Sequence, residues 1–358
     1  MCWLLGAGAS HDLGGGREGI PLTSQLHTSC FFDKNKLVRL LVRLVKTGHL
    51  PSINWDEALG AQLNKTIDLV RSLCCAENTA IASYAASCLR EIVSEIAVTI
   101  SSEGYRFVAT LMTDGHVENY GRLAALCAAQ RQVSVVNMNY DCLLDFEFKS
   151  IWRFSNVSNI LPKPQQYIFW NSCLEALFSD RQPLTRGDHG VYVKLHGSSH
   201  LFSCQNEKCH KYRVPFAIED IGPEGSRTFL VQLGSDQRCT ACGRKALELI
   251  LVPGHNLTEG EDRYLKMAFD LAREALIGAD SWIILGYSCP TYDIDILNLL
   301  RDAMTHPAPF GRARQVIVVS PDPRDTAMRL RSELNYEVSA VDATFSQWWA
   351  ASSGPGKS

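Results

Sequence analysis

Five short apolar runs limit how this chain can fold more than any other feature: residues 1–5, 133–136, 191–195, 282–285 and 316–319. None alternates with polar residues. A strand with one wet face alternates, whereas a strand apolar at every position is covered on both faces. The stretches between the runs have helical spacing. Leu37, Leu40, Leu41, Leu44 and Val45 share one helix face, Ile67, Val70 and Leu73 extend a second stripe, and residues 81–98 are Ala-rich with few breakers. Residues 263–277, about 293–304 and a segment after Pro321 read as further helices. Buried strands separated by helices predict an α/β fold: a Rossmann-like parallel sheet with helices on both faces.

In such a sheet a ligand lies beyond the C-terminal ends of the strands. Each run ends in small or polar residues: Gly6-Ala7-Gly8-Ala9-Ser10, then Asn137-Met138-Asn139-Tyr140-Asp141, then His196, then Gly286-Tyr287-Ser288, then Ser320-Pro321. These clusters on one rim mark the candidate site. The first would let a phosphate approach the backbone and meet N–H groups. A tight turn without a ligand accounts for it equally, because His11 stands where a third glycine would be and no P-loop lysine follows. Taken alone, His196 can be a histidine satisfied by backbone, and Asn139 and Asp141 can cap a helix starting near residue 140.

Cys204 and Cys209, then Cys239 and Cys242, form C-x4-C and C-x2-C pairs. Thiolates at this spacing converge from two tight turns on one tetrahedral zinc, and a closed shell of four makes the metal structural. His210 is not needed as a ligand. The other nine cysteines read as buried free thiols of a reducing cytosol. Net charge is -3 with no long Lys/Arg block, so no direct nucleic-acid partner is expected. The basic residues of 311–314 read as a solvated loop before a strand. No long apolar run and no basic leader occur, which predicts no membrane span and a cytoplasmic protein. The length of 358 residues suits one large domain with insertions. We expect a domain over 1–350 with a helical insertion at 34–130, a zinc module at 198–252 and a disordered tail at 351–358.

Taken in order, Gly-Ala-Gly-Ala-Ser at 6–10, Gly19-Ile20-Pro21, Asn139-x-Asp141, His196-Gly197, the paired cysteines and Gly286-x-Ser288 resemble the sirtuin superfamily. The resemblance spans roughly residues 4–321. It implies a domain that takes NAD as substrate, with the zinc module inserted in it. It implies that His196 is a general base on a ribose hydroxyl. It implies too that Asn139 holds the nucleophile near the anomeric carbon and that Asp141 pairs with the nicotinamide carboxamide. It also implies that Gly6, Ala7, Gly8, Ser10, Pro21, Gly286, Tyr287, Ser288 and Ser320 contact the dinucleotide.

The chain departs from protein deacylases in several places. Leu22-Thr23 follows Gly-Ile-Pro where an aromatic and an arginine are usual, Met138 replaces a glutamine, and Tyr287 replaces a threonine. Residues 251–256 lack the pattern that docks an acyl-lysine peptide. These features resemble divergent bacterial sirtuin-like proteins, in which Gly-Tyr-Ser precedes an aspartate (here Asp293 or Asp295). Many of those hydrolyse NAD as anti-phage effectors. The resemblance therefore implies an NAD glycohydrolase that releases nicotinamide and ADP-ribose, a homo-oligomer, and a defence-system partner protein. Many members of that branch lack the zinc cysteines. Their presence here keeps an NAD-dependent lysine deacylase open, and a non-catalytic nucleotide sensor is a third reading.

Overall fold

The computed structural model describes residues 1–11, 23–52, 54–59, 62–114, 118–129, 133–141, 143–144, 147, 191–204, 206, 208–209, 215–217, 238–239, 241–244, 246–250, 263–291 and 293–352. The Gly19-Ile20-Pro21 motif, His210, residues 251–256 and the tail beyond Ser352 lie outside these.

The described strands are β1 (Cys2–Leu5), β2 (Ser134–Asn137), β3 (Tyr192–Lys194), β4 (Gly197–Cys204), β5 (Pro215–Ala217), β6 (Ala246–Ile250), β7 (Ser281–Leu285), β8 (Gln315–Ser320) and β9 (Ser339–Asp342). Six form one sheet in the order β3-β2-β1-β7-β8-β9, with every pair parallel. With β4–β6 set aside, this is the 3-2-1-4-5-6 order of the doubly wound dinucleotide fold. The fold is Rossmann-like α/β, as the apolar runs predict. β4, β5 and β6 make a separate antiparallel sheet with β4 in the middle.

The α-helices among the described residues are α1 (Ala7–His11), α2 (Lys34–Lys46), α3 (Trp55–Ala58), α4 (Leu63–Cys74), α5 (Thr79–Asp114), α6 (Glu118–Ala129), α7 (Arg263–Ile277), α8 (Ile294–Thr305), α9 (Arg324–Leu334) and α10 (Phe345–Ser352). β1 is buried at all four positions because β2 and β7 flank it and helices cover it. Trp3 meets Trp348 of α10 edge-on at 5.2 Å and Trp349 at 5.7 Å. Each large apolar side chain so buried contributes roughly 1.5–3 kcal/mol. A second core belongs to α2–α5, where Leu37, Leu41, Leu44, Ile67, Val70 and Ile92 are buried together. Local chemistry starts two of these helices. The Asp33 carboxylate accepts from the Lys36 N–H at 2.9 Å, and Asn54 caps Asp56 at 3.1 Å.

Register sets the site. Leu5 lies level with Asn137 on one side and Leu285 on the other. Asn137 is level with Lys194, and Leu285 with Val319. The strand ends are therefore flush, and their terminal clusters share one rim.

Some expectations need correction. Arg314 is not solvated: it is 5% exposed and donates to the carbonyls of Ala279, Ala303, His306 and Ile277. Its guanidinium also lies 4.9 Å from the Trp282 ring. A basic residue just before a strand can turn back under the sheet and satisfy helix ends. Cys2, Cys88, Cys127 and Cys289 are buried free thiols, but Cys30 and Cys75 are exposed. Cys75 is exposed because it sits at the C-terminal end of α4. β9 and α10 have no counterpart in the sequence reading. Ser-Ala-Val-Asp at the sheet edge has no position buried, so it carries no apolar signal.

Candidate active site

The site lies where the strand order reverses, between the ends of β1 and β7, with the turn after β2 beside it. At the end of β1 the chain turns at once into α1. Gly6 N–H donates to Leu285 O at 3.0 Å and Gly8 N–H to Gly286 O at 2.9 Å. A Cβ on Gly6 would stand 2.4 Å from Tyr287 Cα, and one on Gly8 would stand 2.9 Å from Gly286 O. These glycines are therefore required by the neighbouring backbone of the β7 turn, whatever binds above them.

Ser10 and the turn after β2 form one buried network. Ser10 Oγ donates to Asp141 Oδ2 at 2.7 Å. Its single proton is then used, so the Tyr120 hydroxyl, 2.8 Å away, is the donor to Ser10. Asn139 Nδ2 donates to Ser10 Oγ at 2.9 Å. Asn137 shapes the turn, accepting from the Asn139 N–H at 2.8 Å while its amide donates to Tyr192 Oη at 3.2 Å. Ser10, Asn139 and Asp141 are 0%, 3% and 5% exposed. Asn139 Oδ1 has no hydrogen-bond partner among the described residues, although it is buried. A buried amide oxygen without a donor is unstable by about 1–3 kcal/mol, so such an atom points to a ligand or an ordered water.

The Lys-Leu-His-Gly-Ser segment holds this turn in place. Lys194 Nζ donates to Asp141 O, and Ser198 Oγ donates to Tyr140 O at 3.2 Å. His196 Nδ1 lies 3.1 Å from Met138 O. A carbonyl only accepts, so Nδ1 carries the hydrogen of that bond. Three alternate residues thus hold three carbonyls of the turn, those of Met138, Tyr140 and Asp141. Nε2 faces Asp293 Oδ1 at 3.4 Å, and Asp293 Oδ2 accepts from the Tyr287 hydroxyl. The half-buried Tyr140 packs against the α2–α5 core, so the helical layer covers the turn.

The structure thus brings Ser10, Asn139, Asp141, His196 and Tyr287 together. Both Asp141 oxygens are already engaged, with Ser10 and with the Leu143 N–H at 3.1 Å. The same aspartate therefore binds across the site and caps the next turn. Ser288 is exposed and half-buried Ser320 closes β8, both on the same rim but apart from the buried network. The sequence reading does not single out Tyr120, Lys194 or Ser198 as site residues, whereas Asn137 lies in the polar cluster after β2 and Asp293 is one of the two aspartates that follow Gly-Tyr-Ser.

The cysteines converge at the far side of β4. Cys204, Cys209, Cys239 and Cys242 bring their sulfurs within 4.8 Å of one another, three of the residues being buried. Two pairs stand 3.6 and 3.9 Å apart. A tetrahedral zinc with bonds of about 2.3 Å sets its sulfurs about 3.8 Å apart, so the cluster fits that ion. Within the cluster the Arg244 backbone N–H pulls the Cys242 thiol down while burial pushes Cys204 up, so Cys242 is the thiol that loses its proton more readily.

No family model and no curated protein matches the chain. Solved structures similar to it include a mutant Sir2 homologue in complex with 2′-O-acetyl ADP ribose, at 14% identity and a TM-score of 0.34, over 96% of this chain and 86% of that one. Another mutant Sir2 homologue, in complex with ADP ribose, is similar at 13% identity and 0.34 over the same shares. Sir2Tm bound to a propionylated peptide is similar at 14% identity and 0.27, over 89% and 79%. No helix of the described residues is long and apolar enough to cross a membrane.

Proposed function

We propose that this chain cleaves the nicotinamide–ribose bond of NAD with water, giving nicotinamide and ADP-ribose. The observation that carries the reading is Asn139 Oδ1, buried without a donor at the switch point of a dinucleotide-type sheet, beside Asp141 and His196. The order of motifs that resembles the sirtuins supports NAD as the dinucleotide.

Breaking that bond leaves positive charge on the anomeric carbon, so little activation of the nucleophile is needed. A water donating to Asn139 Oδ1 would have its lone pair held in place, because Ser10 and the Asn137 turn fix the amide. An amide cannot take the proton. His196 can, at Nε2, since Met138 already holds Nδ1. Asp141 would meet the nicotinamide carboxamide, sharing the lone pairs that Ser10 now uses.

The zinc-type cysteine cluster favours a second reading, an NAD-dependent lysine deacylase in which the acyl oxygen replaces water. Nicotinamide should be quantified after incubation with NAD alone, for the wild type, Asn139→Ala and His196→Ala. Release abolished by both substitutions supports hydrolysis. Release that requires an acyl-lysine peptide would replace it with deacylation, and binding without turnover would leave a sensor. The defence role follows the same sequence resemblance. It predicts that cells expressing the chain lose NAD on phage infection, and that cells with His196→Ala keep it.

A further inference from the structure

His196 faces two acceptors, Met138 O at 3.1 Å and Asp293 Oδ1 at 3.4 Å. A neutral imidazole has one N–H. One acceptor therefore lacks a donor until the ring takes a second proton. Asp293 is 1% exposed, and its Oδ1 is without a hydrogen bond at this separation. It occupies the N-cap position of α8, where an aspartate normally bonds the first free N–H groups, yet its side chain makes no capping bond. Instead the Tyr287 hydroxyl holds Oδ2 and leaves Oδ1 turned to His196. Two more groups face this pair. Tyr140 has its ring 6.0 Å from the imidazole. Asp295 is held up mainly by burial and then by the Asp293 charge, with opposing pulls from His196 and Arg71.

Building on the NAD-cleaving reading, we propose that Asp293, fixed by Tyr287, is the positioning residue of His196 and stabilises the imidazolium that forms in the reaction. The oxygen of water bonds to the anomeric carbon, and the carbon–nitrogen bond breaks with its electron pair leaving on nicotinamide. The proton lost by water ends in the His196–Asp293 pair, on the one free lone pair of the ring, at Nε2, which faces Asp293 Oδ1 and there donates to it. NAD and water enter; nicotinamide, ADP-ribose and one proton leave. The loose contact of 3.4 Å closes to a charge-assisted bond of about 2.7–2.9 Å once both groups are charged. A positioned acid–base group of this kind is worth roughly 10²- to 10⁴-fold in rate.

The test uses the full chain with two variants and two readouts. Asp293→Ala and the isosteric Asp293→Asn should each lower kcat for nicotinamide release by about 10²-fold or more, with the Kd for ADP-ribose within about threefold. Formate, but not chloride at equal ionic strength, should restore at least about tenfold of the Asp293→Ala rate, which a merely structural residue would not allow. Independently of turnover, nitrogen-15 spectra of the histidines, recorded on the imidazolium form, should show both His196 ring N–H protons protected from exchange in the wild type. The Nε2 proton should lose protection in Asp293→Ala. A kcat within about threefold of wild type, or Nε2–H protection equal in wild type and Asp293→Ala, overturns the proposal. A wild type that releases no nicotinamide but shows the Asp293-dependent proton would sink the hydrolase reading and leave the pair standing.

Discussion

Gly286→Ala separates two costs that usually come together. Gly286 has φ +60°, and a Cβ there would lie 2.2 Å from Ala9 N and 2.5 Å from Gly8 C. Gly48 has φ +74° with nothing within 4 Å of such a Cβ. Both substitutions incur the left-handed strain of a non-glycine residue, about 1–2 kcal/mol. Both also gain the same small stabilisation from a stiffer unfolded chain, which cancels in the comparison. Only Gly286→Ala drives a methyl into backbone that cannot rotate away, and overpacking of that kind costs about 1–3 kcal/mol more. That excess is the expected difference between the two variants, read as thermal midpoints at one scan rate. Displacing Gly8 and Ala9 also moves Ser10, which holds Asn139. Nicotinamide release should therefore fall in Gly286→Ala at temperatures where the protein is still folded, and stay unchanged in Gly48→Ala. A Gly286→Ala protein as stable as Gly48→Ala would refute the interlocked-turn argument.

Arg314→Lys should lower stability by about 2–4 kcal/mol in urea unfolding, because an ammonium cannot reach all four carbonyls and each buried one left unpaired costs about 1–3 kcal/mol. Cys239→Ser should abolish bound zinc, measured by elemental analysis, while far-ultraviolet dichroism stays near wild type, since the cysteine cluster is separate from the sheet core. Asp295→Asn should stabilise the protein at neutral pH. Burial first, then the Asp293 charge, raises the folded-state pKa of Asp295. Its ionised form is thus penalised on folding above that range, and the gain from Asn should vanish as the pH falls through the ordinary carboxylate value near about 3.9. Thermal midpoints of both proteins across pH check the sign.

Much of the fold is legible in residues close together in the chain. A strand covered on both faces is mostly apolar, so β1, β2, β7 and β8 are visible as runs. β9 is not, because an edge strand with no buried position has no such requirement. α5 extends well past the Ala-rich stretch, through Gly104 to Asp114, where weak helix formers leave no clear propensity signal. The cysteine pairs announce a metal-type site because tight knuckles impose short spacings.

Local spacing alone thus determined the inner strands of the sheet, the polar turns at their ends and the two cysteine knuckles, since each depends on neighbours within a few residues. Which side chains meet was decided only by the tertiary structure. Ser10 finds Asp141 131 positions away and Tyr120 110 away. His196 finds Asp293 only because β3 and the turn after β7 reach the same rim. The same holds for Arg314, whose acceptors lie at the ends of α7 and α8. A hydrogen bond between distant residues requires complementary atoms at one point in space, and that requirement leaves no period and no spacing in the chain.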